Sequence, residues 1–228
     1  MKITYLSTFI IAGALLTSCS KKTVTLKSAA YHDLYQETPR AILVMLPINK
    51  TNEVEAKELF YSTLTSTLAD QGYYVLPPFI SQEILRHESA NDAERFVESP
   101  LKLFGSAFGA DAVLFTTIYK WKKNLLTNKI QTQVEYILKS TKTNKVLFQR
   151  KGDLIYNTSV SSSSGNLVVM AIGIVASKVL AATTSNTEVS RMCNWATLSD
   201  MPTGRYHIDH LIDSVKTAGK KEFKRTVK

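Results

Sequence analysis

The chain is short of the residues that most small folds lean on for covalent or metal support. Its 228 residues hold only two cysteines, four histidines and two tryptophans. If one cysteine is used elsewhere, no disulfide framework is possible and no cysteine-rich zinc site can be assembled. Glycine (9) and proline (6) are sparse, which argues against collagenous or low-complexity character. Acidic residues are outnumbered, 19 against 28 basic ones, for a net charge of +9. The strings G-x-S-x-G, H-E-x-x-H, G-x-x-x-x-G-K-S/T and C-x-x-C are all missing, so no familiar hydrolase, zinc-protease, P-loop or dithiol pattern is present. Neither of the two longest apolar stretches reaches the roughly 20 residues that a helix needs to cross a bilayer.

The first apolar stretch, Ile3 to Leu16, follows Lys2 and runs into Thr17-Ser18. Fourteen helical residues rise only about 21 Å, so this is a secretory leader rather than a spanning helix. It ends on Leu16-Thr17-Ser18-Cys19, which resembles the bacterial lipobox. That resemblance implies cleavage between Ser18 and Cys19, a diacylglycerol on the Cys19 sulfur and acylation of the new amine. Several acyl chains give stable anchorage where one gives only marginal binding. Ser20, in place of an aspartate, resembles the default route to the outer membrane. Anchorage on its periplasmic face follows, and nucleic acid is not a partner there. Cleavage leaves 210 residues at a net charge of about +8, suited to anionic surfaces. Cys193 is then alone, and its apolar neighbourhood in "RMCNWATL" predicts a buried, inert thiol.

Patterning divides the rest. Residues 19–39 lack periodicity and read as a lipidated tether. Residues 40–217 read as one α/β domain, and 218–228 as a frayed basic tail. Within the domain, "ILVML" at 42–46 predicts a strand buried on both faces. Asn52 is a candidate cap for a helix with Ala56, Leu59, Phe60, Thr63, Leu64, Thr67 and Leu68 on one face, ended by Gln71-Gly72. A short strand at Tyr73–Leu76 follows. Phe79–His87 predicts a helix with Ile80, Ile84 and Leu85 inward, and Ser99-Pro100 opens another that stops at Gly109. From Ala112 onward three strands form a meander. In the second, Ile130, Thr132, Val134, Tyr136 and Leu138 face in, and Gln131, Gln133 and Glu135 face out. The expected fold is a mixed sheet of about five strands flanked by helices, with a hydrophobic helix at 167–182 and a last helix near Tyr206–Thr217.

At this point a family resemblance is visible. The lipobox, "ILVMLPINKT", "LADQGYYVLP", "FGADAVLFTTIYKW" and the hairpin "ILKSTKTNKVLFQR" together resemble a family of bacterial outer-membrane lipoproteins of unknown function, typified by a neisserial antigen. Many of its members carry glycine where this chain has Asn144. The "GADAVLF" step is also similar to the curli-secretion lipoprotein and to the amino-terminal TolB fold. The resemblance implies a mixed sheet used for protein–protein assembly in the envelope, and it carries no catalytic residues.

Several constellations remain to be weighed. His207, Asp209 and His210 put two imidazoles on one helical face, as metal ligands would be, but too few donors exist elsewhere to complete a shell. Glu88, Asp92, Glu94 and Glu98 read as a solvated acidic face. Lys120, Lys122 and Lys123 beside Trp121 read either as a strand end or as a headgroup contact. Leu167–Ala182 is apolar nearly all round and must be buried. Its small residues Gly173, Ser177 and Ala181 at i, i+4, i+8 permit close approach of the protein's own sheet, another copy or a partner. Sixteen residues span about 24 Å, short of a bilayer, and Lys178 interrupts them. The resulting expectation is a non-enzymatic envelope lipoprotein without cofactor or metal, working with protein partners, another copy of the chain (a homo-oligomer) among the candidates. The alternative is a subunit of a secretion channel or transport complex, and a periplasmic hydrolase is a more distant third.

Overall fold

The structure is a computed structural model and describes residues 24–124, 126–127, 129–157 and 186–227. These build a seven-stranded mixed sheet, two strands more than the patterning suggested. The strands are β1 Ala41–Val44, β2 Ile48–Asn49, β3 Tyr74–Val75, β4 Ala112–Asn124, β5 Lys129–Ser140, β6 Val146–Asn157 and β7 Glu222–Val227. Their order is β3-β1-β4-β5-β6-β7, with β2 extending the β1 side along β4. β1 is parallel to both β3 and β4. β4, β5 and β6 form the expected antiparallel meander.

The run at 42–46 is buried on both faces, as its continuous hydrophobicity requires. Ile42 and Val44 enter one core with Phe60, Leu64 and Leu68; Leu43 and Met45 enter a second with Leu85, Leu101 and Phe104. The first core lies under helices α3 Ala56–Asp70 and α6 Asn186–Leu198, the second under α4 Pro78–His87 and α5 Lys102–Phe108. In β5 every residue expected to face in is buried, while Gln131, Gln133 and Glu135 are half-buried on the other face. That face is polar and cross-bonded: Tyr119 and Gln149 both donate to Glu135, at 2.9 and 2.7 Å. A bulge between Ile118 and Lys120 changes the parity of β4. Trp121, paired with the inward Thr132, thereby reaches the first core and meets Phe60 edge-on at 5.7 Å.

Punctuation by positive φ matches the expected stops. Gly72 (φ +81°) closes α3 and Gly109 (φ +67°) closes α5. Asn144 turns the β5–β6 hairpin at φ +60°, a region that asparagine tolerates better than most residues.

Six local expectations are corrected. Asn52 does not cap α3, which begins at Ala56 after Glu55; Asn49 and Thr51 organise that turn instead. Pro100 lies before the cap of α5 rather than in its first turn. In α4 the buried residues are Ser81 and Leu85, and Ile80 and Ile84 are exposed. The stretch 19–39 is not wholly a tether, because α1 Lys27–Ala30 and α2 His32–Glu37 pack on the domain with Tyr31 and Leu34 in its core. Tyr31 stacks obliquely on Phe148 at 5.4 Å. The basic tail is not frayed, since β7 pairs in parallel with β6 from Glu222 to Val227. The final helix near Tyr206–Thr217 is instead a series of turns ending in a 3-10 helix, Ile212–Val215.

Candidate functional site

Two buried polar networks occupy the described residues. The first lies between α3, α6 and the sheet. Asn194 donates to Thr63 Oγ1 at 2.8 Å and to the Phe60 carbonyl at 3.2 Å, and it accepts from the Tyr136 hydroxyl. Cys193 lies beside it, 2.8 Å from Thr132 Oγ1, fully buried as expected. Burial pushes its thiol up to about 12, although the Thr132 contact works the other way. A thiol in that state is neither nucleophile nor metal ligand.

The second network clasps the start of the fold to its end. Asp213, 1% exposed, accepts from the Tyr35 hydroxyl at 2.9 Å and the Thr203 amide at 3.0 Å, and it pairs with Lys27 Nζ at 3.4 Å. Asp200 accepts from the Tyr31 hydroxyl and from the Gly219 amide at 2.9 Å. Burial, then the adjoining aspartates, push both tyrosines above their usual range. Backbone bonds complete the clasp: the Lys27 amide donates to Lys216 and the Ala218 amide to Thr25, each at 2.8 Å. No local signal in the sequence marks Lys27, Asp200 or Asp213. The pairs that cross the clasp, Lys27–Asp213, Tyr31–Asp200 and Tyr35–Asp213, lie 169 to 186 residues apart.

The weighed constellations come out as follows. His207 Nδ1 accepts from the Asp209 amide at 2.9 Å, and His210 Nδ1 meets the Thr203 carbonyl at 3.0 Å. The two rings are thus tied into their own loop. Among the described residues no three or more His, Cys, Asp or Glu side chains are placed to hold a metal ion. Glu88, Asp92, Glu94 and Glu98 are all exposed, and Asp92 caps a 3-10 turn at Ala93–Arg95. Lys122 and Lys123 are exposed at the end of β4 while Trp121 is half-buried against the core. Ser18, Cys19, Gly173, Ser177 and Ala181 lie outside the described residues.

Exposed large apolar side chains fall close together in the chain at two places. On α4, Phe79 is 81% exposed, with Ile80 and Ile84 beside it. Around the clasp, Leu26, Leu211, Ile212 and Val215 are exposed together. Clusters of this kind mark surfaces that something covers.

A family model described as "Putative lipoprotein GNA1162-like" matches residues 29–205, most of the chain. The chain belongs to that family. Among relatives of the GNA1162-like family, a curated protein described as "Putative lipoprotein NMB1124/NMB1162", from Neisseria meningitidis serogroup B, is 26% identical over 172 residues. The match covers 74% of this chain and 79% of the relative. Of the solved structures, lipoprotein GNA1162 from Neisseria meningitidis aligns with a TM-score of 0.48 and 22% identity, over 62% of this chain and 98% of that one. The PelC dodecamer from Paraburkholderia phytofirmans aligns at 0.37 and 14%, over 63% and 87%. The LpoB C-terminal domain from Salmonella enterica aligns at 0.38 and 16%, over 56% and 96%. The GNA1162-like resemblance read from the strands and the hairpin is therefore a family membership. A lipoprotein family points to the cell envelope.

Proposed function

We propose that the chain is a non-enzymatic lipoprotein, anchored through Cys19 to the periplasmic face of the outer membrane, that presents its α/β domain to envelope protein partners in assembly or secretion. The observation that carries this reading is Leu16-Thr17-Ser18-Cys19 at the end of a short apolar leader, in a chain belonging to a lipoprotein family. Two structural features support it. The buried titratable groups of both networks are engaged in bonds that hold elements together, which is a scaffold's use of them. On α4, Phe79, Ile80 and Ile84 leave an apolar helix face open, the type of anchor a protein partner takes.

Replacement of the anchor tests the reading. Cys19→Ala is expected to yield an unlipidated precursor that is lost from the outer-membrane fraction. The checks are fractionation of intact cells and mass spectrometry of the mature amino terminus. An unlipidated wild-type terminus, or a variant that still sediments with the outer membrane, would falsify the anchoring.

A further inference from the structure

The apolar cluster around the clasp sits at the point where the chain enters the fold. Leu26 bridges Thr217, and the strand-like residues 25–27 run antiparallel to 216–218. Cys19 lies only five residues before Val24, the first described residue. Even fully extended, that segment spans no more than about 18 Å. If acyl chains on Cys19 are in a bilayer, the surface around Leu26 stays within one short tether of the headgroups.

The surface is built for display. In the 3-10 helix, Asp213 turns inward to the clasp and is buried, while Ile212 is 65% and Val215 71% exposed. Residues three apart eclipse on a 3-10 helix, so these two form one ridge. Leu211 precedes them at a φ of +64°, a left-handed conformation that a leucine rarely adopts, and it is half-exposed. Strain that presents a large apolar side chain to the outside is a mark of use. Basic residues adjoin the surface in sequence: Lys220 and Lys221 are exposed just beyond the clasp, next to an exposed Glu222, and Lys21 and Lys22 fall between Cys19 and Val24. Lys216 is neutralised by Asp209 at 3.1 Å, so the positive charge rests on the other lysines.

We propose that Leu26, Leu211, Ile212 and Val215, with the exposed Lys220 and Lys221 following them in the chain, form a membrane seat that rests on the anionic phospholipid surface beside the anchor. This deepens the anchoring proposed above and rests on it. Apolar side chains reach the boundary between headgroup and acyl chain, and lysines meet the phosphates. The domain is then held in one orientation, with α4 carried on a different element from the seat.

The test uses the mature chain, residues 19–228 with Cys19→Ser, so that neither the apolar leader nor lipid contributes and binding by the seat remains. Cosedimentation with phosphatidylglycerol-containing vesicles is compared with phosphatidylcholine vesicles. Binding to the anionic vesicles is expected, weakened on raising salt and at least about tenfold weaker in Ile212→Glu/Val215→Glu. Both substituted residues are exposed, and circular dichroism checks that the variant is folded. As a second measurement, Ile212→Cys is labelled with an environment-sensitive fluorophore, the buried Cys193 being protected. Its emission is expected to rise with anionic vesicles, and that of the same label at Phe79→Cys on α4 to stay constant. No binding by the Cys19→Ser chain, equal binding by the Glu variant, or a response at Phe79 rather than Ile212 overturns the seat. So does concentration-dependent self-association that quenches the Ile212 label without lipid, because a second copy is then the occupant. A lipidated wild-type terminus with a failed vesicle test rejects the seat alone; an unlipidated terminus rejects the anchoring.

Discussion

Cys193 shows how a single side chain is specialised by its surroundings. Its sulfur contacts Thr132 and is closed in by α3, α6 and β5. With the thiol pushed up to about 12, almost no thiolate exists at neutral pH. In a chain lacking the Cys19 sulfur, Cys193 is therefore expected to resist a maleimide in native buffer and to react fully in guanidinium. Labelling followed by mass spectrometry measures both states, and rapid modification of the native chain would contradict the assignment. That the thiol is buried was legible from its neighbours. Its hydroxyl partner was not, because Thr132 lies 61 residues away. Asn144 is a contrasting residue: it turns the β5–β6 hairpin at φ +60°, the left-handed region that glycine and asparagine accept most readily.

At the scale of elements, the clearest contrast is between β5 and α6. The alternation of β5 has period two and a clean apolar side, so its inward residues could be read directly. The buried positions of α6 (Val189, Ser190, Cys193, Asn194, Ala196, Thr197 and Leu198) have helical spacing too, but three of the seven are polar. Hydrophobicity alone hides such a helix. What makes it viable is the hydrogen bonding of Asn194 and Ser190 to residues of α3, which satisfies polar groups inside the core. The N-terminal helices and the 3-10 helix were concealed for a related reason. They are too short to fold alone and exist because Asp213 binds Lys27, Tyr35 and Thr203. Asp213→Ala leaves Lys27 buried without its counter-charge and is expected to destabilise the chain by about 3–5 kcal/mol. Urea unfolding would detect it, as would early proteolysis within residues 24–37. A change under about 1 kcal/mol would show that the clasp is dispensable. β7 belongs to the same class, since Glu222, Lys224 and Arg225 disguise it as a solvated tail. Charged side chains on an edge strand also discourage pairing with another chain.

For the whole molecule, the buried hydroxyls and the thiol act together. Burial raises Tyr61 to about 12 and lifts Tyr31, Tyr35, Tyr73 and Tyr136 further. Cys193 rises from 9.0 to about 12. Each folded-state value lies above its unfolded one, so the unfolded chain releases these protons first. The linked stability is complete below about pH 9, falls as pH rises through the unfolded thiol and then the phenols near 10, and is lost by the folded-state values. Thermal unfolding between pH 7 and 11 is expected to show a melting temperature flat to about 9 and falling steeply beyond 10. A flat profile to pH 11 would mean that these groups are more accessible than the fold implies.

The sequence by itself determined the family, the doubly buried first strand and the meander. Each is written in neighbouring residues as a motif, a continuous run or an alternation. Only the tertiary structure decided the clasp, the polar helix α6, the edge strand β7 and the exposed ridge at Ile212 and Val215. Those depend on partners far along the chain, and on burying polar groups that local hydrophobicity assigns to solvent.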